Sequence, residues 1–183
     1  DLLYANIAAF QMKISKEFDA IIGFAREEAM RTGSYTIEAD HLLLGILRHG
    51  DNDAVRAMRE RGIDTSGCKS DIDSAIFHEH SIPYSNEDDI RLGREGGNAV
   101  SLAIADSMAE DASETSAIHL LKAILKQEQS IGSAYLRRKG MRAETLGAPS
   151  AGKAAAVPPA PGKNELAALL ATFTIRTDKT IAS

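Results

Sequence analysis

Apolar side chains recur at helical spacing along most of the chain. Phe18, Ile21, Ile22, Ala25 and Ala29 fall on one face at a period of 3.6 residues. Gly33 and Ser34 break that pattern, and Thr36 is placed to cap a second helix carrying Leu42, Leu43, Ile46 and Leu47. Asp51 or Asp53 is predicted to cap a third helix. Arg61-Gly62-Ile63 ends it, with Gly62 in the left-handed position after the last turn and Ile63 folding back onto it. Cys68, Ile72, Ala75 and Ile76 mark a fourth helix.

The same pattern then returns. His41-Leu42-Leu43-Leu44-Gly45-Ile46-Leu47-Arg48 is echoed by His119-Leu120-Leu121-Lys122-Ala123-Ile124-Leu125-Lys126, a shift of 78 residues. Without a gap, this shift also pairs Ala25 with Ala103, Met30 with Met108, Ala39 with Ala117, Arg59 with Arg137 and Gly62 with Gly140. A constant offset held over this span predicts one helical unit used twice, an all-α fold of two tandem units related by a pseudo-two-fold. After Met141 only a short stub to Leu146 remains, so the second unit is expected to be shortened at its C-terminal end.

The expected organisation is an N-terminal extension over 1–13, a first unit over 14–76, a polar connector over 77–92 and a second unit over 93–146. A linker over 147–163 and a tail over 164–183 complete it. The connector holds Pro83 and the acidic run Glu87-Asp88-Asp89 and is read as exposed. The linker is almost all Ala, Pro and Gly, a composition that buries no core. In the tail, Leu166-Ala167-Ala168-Leu169-Leu170 is an apolar stretch suited to a docking helix or to the start of a following segment.

Composition narrows the function classes. With 44% hydrophobic residues and no Trp, the core must rest on Ala, Ile, Leu, Val and Met, a palette that suits helix bundles. A net charge of −5 without a long basic stretch argues against nucleic acid as a partner. The single Cys68 cannot form an internal disulfide and fits a reducing compartment. No apolar run is long enough to span a bilayer, and Asp1 to Phe10 lacks the basic leader of a signal peptide. A cytoplasmic chain, trimmed before Asp1, is the expectation.

Three motifs carry a family resemblance. They are Ala25-Arg26-Glu27-Glu28-Ala29, then Ala39-Asp40-His41-Leu42-Leu43-Leu44-Gly45-Ile46-Leu47, then Arg61-Gly62-Ile63. Over residues 14 to 146 the chain resembles the Clp N-terminal domain of ClpA-, ClpB- and ClpC-type AAA+ unfoldases, closest in pattern to the ClpC-like members. The resemblance implies a mobile, non-catalytic domain that receives unfolded or tagged protein substrates and adaptor proteins. It would pass them to a Clp ATPase ring, in cis or in trans. It implies no cofactor, no metal and no membrane or nucleic-acid partner. Some ClpC-like members bind phosphorylated arginine through the acidic residue before the repeat His and a hydroxyl at the start of the first helix. Carried onto this chain, those positions are Asp40 and Ser15, whereas the second unit has Ile118 and Gly93. A carboxylate can accept a guanidinium fork, and helix-start amides can hold phosphoryl oxygens. Simple helix capping by Ser15 and Asp40 is the competing reading.

Other signals are weaker. Gly147 to Ala154 approaches a phosphate-binding loop, but Ala154 stands where a Mg²⁺-binding hydroxyl is needed and no strand precedes it. His78-Glu79-His80 lacks a third metal ligand nearby. His41 and His119 are read as packed, hydrogen-bonded helix-start residues, and Cys68 as core. No arrangement of Ser, His and Asp with a nucleophile turn is present. The functions in competition are thus a protein-binding module, an enzyme with an unrecognised site and a purely structural helical scaffold.

Overall fold

The computed structural model describes residues 14–78 and 80–146. Seven α-helices occupy most of them: α1 (Lys16–Arg31), α2 (Ala39–His49), α3 (Asp53–Glu60), α4 (Thr65–Ile76), α5 (Arg94–Ala109), α6 (Ala117–Leu125) and α7 (Ile131–Arg138). Two 3₁₀ turns, Tyr84–Asp89 and Ala143–Thr145, and two short strands, β1 (Thr36–Ile37) and β2 (Arg91–Leu92), complete the set. The extension over 1–13, the linker over 147–163 and the tail over 164–183 lie outside the described residues.

The 78-residue offset carries through to the elements. α1 and α5, α2 and α6, and α3 and α7 begin at equivalent positions of the repeat. The strands obey it too. β1 pairs with β2 in parallel, Ile37 opposite Leu92, and the isolated parallel bridge of Ile14 with Thr115 joins the equivalents of those two residues. In place of a second α4 the described chain has only the 3₁₀ turn Ala143–Thr145.

Packing follows the apolar stripes. Phe18 and Ile21 of α1, Leu42, Leu43 and Ile46 of α2, and Leu120, Leu121 and Ile124 of α6 are fully buried in one continuous core. Cys68 and Ile72 bring α4 onto it. α3 and α7 end alike: Gly62 and Gly140 take φ of 70° and 86°, the left-handed region where a side chain is strained. Behind them, the amides of Ile63 and Met141 return to Met58 and Leu136 carbonyls, and both side chains are buried.

Several local expectations are corrected. Thr36 lies in β1 and caps nothing; Glu38 is the N-cap of α2. Asn52, rather than Asp51 or Asp53, caps α3 by accepting from the Val55 amide. Leu44 is buried while Leu47 is only half-buried, because α2 is enclosed on more than one side. The connector is not wholly exposed: Ile82 and Ile90 are buried, and the Ile82 amide donates to Met30.

Candidate functional site

Helix starts dominate the polar interior. An α-helix leaves its first amides without internal partners, and the N-termini of α5, α6 and α7 turn toward the first unit. α5 begins after Gly93, which has no side chain to cap it. Glu38 does so from a distance, its carboxylate accepting from the amides of Glu95 and Gly96 at 3.0 and 3.2 Å. A β-carbon on Gly93 would overlap that carboxylate.

The other two starts show an exchange of residues. At α7, the Asp40 carboxylate accepts from the Ser130 hydroxyl at 2.7 Å and from the amides of Ile131 and Gly132 at 3.1 and 2.8 Å. At α6, the carboxylate comes from Asp53, accepting from the Ser116 hydroxyl and the Ile118 amide, both at 2.9 Å. Ile118 is the repeat equivalent of Asp40, and Asp53 that of Ile131. Each junction therefore has one Asp and one Ile, in opposite helices.

Ser15 and Asp40 serve different junctions. Ser15 caps α1 by accepting from the Phe18 amide at 3.0 Å, and donates to the Thr115 carbonyl just before α6. Asp40 stands against residues 130–132, after α6. Both side chains are buried, and no hydrogen bond joins them. The carboxylate of the second junction, Asp53, sits outside the position the repeat singles out. Its signal was the mirrored exchange at offset 78.

The repeat histidines are structural. Nδ1 of His41 accepts from the Glu38 amide at 2.9 Å, leaving the proton on Nε2, which faces the Thr32 hydroxyl at 3.2 Å. Burial pushes its imidazole down to about 4. His119 repeats the first bond with Ser116, but its Nε2 faces Glu110 at 2.9 Å. Glu110 also takes the ammonium of Lys122, the residue that replaces Leu44, at 2.9 Å. Burial alone would raise the Glu110 carboxyl; the bonds from Lys122 and His119 outweigh it and hold it below the usual range.

Beside the Asp40 junction lies a cleft of about 510 Å³ lined by Glu38, Asp40, Glu95, Arg94, His41 and His78, among others. Three carboxylates meet here against one guanidinium. Glu38 and Asp40 hold helix amides, whereas the carboxylate of Glu95 makes no hydrogen bond or ion pair among the described residues, and the residue is half-buried. Burial first, then the charges of Glu38 and Asp40, raise the Glu95 carboxyl. A cation placed beside it would relieve that strain of like charge. The cleft can hold a basic side chain; nothing in it forms a nucleophile and base pair.

The family profile for the Clp repeat (R) N-terminal domain matches residues 13–112. Among characterised proteins, the chain is 20% identical over 129 residues to the negative regulator of genetic competence ClpC/MecB of Bacillus subtilis. It is 19% identical over the same length to the chaperone protein ClpB of Oceanobacillus iheyensis. These alignments cover 70% of this chain but only 15% and 16% of those proteins. Among solved structures, the N-terminal domain of the caseinolytic protease associated chaperone ClpD from Arabidopsis thaliana matches with a TM-score of 0.56 at 17% identity. It covers 73% of this chain and 89% of that one. A structure from preliminary investigations of a malarial protein secretion system matches with a TM-score of 0.62 at 18% identity and the same coverage.

Proposed function

Because the chain belongs to the Clp repeat (R) N-terminal domain family, we propose that it receives protein clients and adaptors for a Clp-type ATP-dependent unfoldase. The ATPase ring would lie in the same protein or in a partner. A Clp N-terminal domain is non-catalytic, and this one acts by binding alone. The observation that carries the reading is the acidic cleft between the two units, with Glu95 as its unengaged carboxylate.

The cleft favours a client segment bearing an arginine or lysine. A guanidinium would meet Glu95 directly and the field of Glu38 and Asp40 behind it. The ligand roles implied for Asp40 and Ser15 enter this proposal unequally. Asp40 lines the cleft, but a ligand reaches it in competition with Ser130, Ile131 and Gly132. Ser15 would serve a separate place at the start of α1, beside Thr115. Phosphoarginine is the poorer fit to the cleft, because the α5 amides that would take a phosphoryl group already hold the Glu38 carboxylate.

Capture of casein-like unfolded protein by the immobilised chain, with and without a Clp ATPase ring, tests the function. Binding that feeds ATP-dependent unfolding of the client in the presence of the ring supports it. A scaffold role would give neither.

A further inference from the structure

The two units bring two basic helix ends to one pole of the molecule. Arg61, just after α3, donates to the Ala57 carbonyl at 3.1 Å and to the Thr145 carbonyl at 3.0 Å. Arg142, just after α7, donates to the Arg137 carbonyl at 3.4 Å. The Tyr135 hydroxyl of α7 reaches the Asp64 carbonyl at the start of α4. The ends of α3 and α7 are thereby tied together. Arg137 donates to the Glu128 carbonyl at 3.4 Å, so Arg61, Arg137 and Arg142 are spent largely on carbonyls, as cations near helix C-termini often are.

Arg59, Arg138 and Lys139 are not. Arg59 and Lys139 form no ion pair among the described residues, and Lys139 only rests over the Tyr135 ring at 5.6 Å. Arg138 approaches Asp71 at 3.6 Å with 68% of its side chain exposed. Glu60, Asp64, Asp71 and Glu144 are interspersed, yet the pole stays net positive. That is the reverse of the span as a whole: residues 14–146, the pole included, hold 16 Lys and Arg against 23 Asp and Glu.

We propose that this pole is a docking surface for an acidic segment of another protein. Residues 147–183 do not offset it, since they carry Lys153, Lys163, Arg176 and Lys179 against only Glu165 and Asp178. Three solvated cations on a rigid pair of helix ends, set in an acidic molecule, orient an approaching acidic partner onto this face and repel it elsewhere. The pole is separate from the acidic cleft, which selects the opposite charge.

The test is fluorescence anisotropy of the full chain with a labelled Glu-rich peptide at low salt. Binding should saturate, weaken as salt is raised, and fall about tenfold or more in R59E/R138E/K139E. The charge-matched control K16E/K69E/K126E, on α1, on α4 and just after α6, should keep near wild-type affinity, and both variants should retain the wild-type helical signal. E95Q should leave this binding unchanged, which separates it from the cleft. Equal loss in both triple variants, or no binding at low salt, would overturn the proposal. So would wild-type dimers in light scattering that the pole variant abolishes, since the pole would then serve a second copy of this chain.

Discussion

His41 ties protonation to folding. Its Nδ1 accepts the Glu38 amide, so a proton there would break the start of α2. The folded imidazole sits at about 4 against 6.5 for a free one. Between these values the unfolded chain binds more protons than the folded one, so stability falls as pH drops from 6.5 toward 4 and is fully present above 6.5. The shift corresponds to roughly 3 kcal/mol. Urea unfolding across that window should show the loss, and His41→Gln should flatten it; an equal slope in the variant contradicts the assignment. Burial, with Asp40, Asp71 and Asp64 behind it, pushes the Cys68 thiol up to about 12. Maleimide at mildly alkaline pH should therefore label the unfolded chain and spare the folded one. The sequence placed both residues correctly, since each follows from a local apolar pattern.

At the level of elements, periodicity exposed the helices and the offset exposed their duplication, because both are written in neighbouring residues. The caps were less legible. Thr36 and Asp53 have the right chemistry for capping their own helices, but Thr36 lies in β1 and Asp53 is already the first residue of α3, so Glu38 and Asn52 take the N-cap positions. Asp53, like Glu38 and Asp40, instead serves a helix start of the second unit. Such long-range caps leave no local trace. Asp40→Ala would strand the buried hydroxyl and amides of 130–132 and should cost about 1–3 kcal/mol. Asp53→Ala, whose junction is only half-buried, should cost about 0.5–2 kcal/mol. Leu43→Ala, removing a fully buried side chain, should cost about 2–5 kcal/mol. Thermal melts of the three variants check this order. A melting temperature unchanged by Leu43→Ala would contradict the core assignment.

Across the whole molecule, the first unit supplies carboxylate caps to all three helices of the second. Residues 90–146 expressed alone should consequently show little helical signal and regain it when mixed with residues 14–89. A cooperative melt of the isolated second half would contradict that dependence. The same arrangement creates the acidic cleft, because Glu38 and Asp40 reach across the boundary to the helices they cap and meet Glu95 there. The sequence singles out Asp40, which lines the cleft, together with Ser15, which the fold places at the other junction. On the proposed function, this cleft receives basic client segments. The most direct test of that is calorimetric titration of the chain and of Glu95→Gln with an arginine-bearing peptide. One site per chain is predicted, weakened about tenfold or more in the variant while the melting temperature holds. Undiminished affinity in a folded Glu95→Gln chain, or no binding to the wild type, would contradict it.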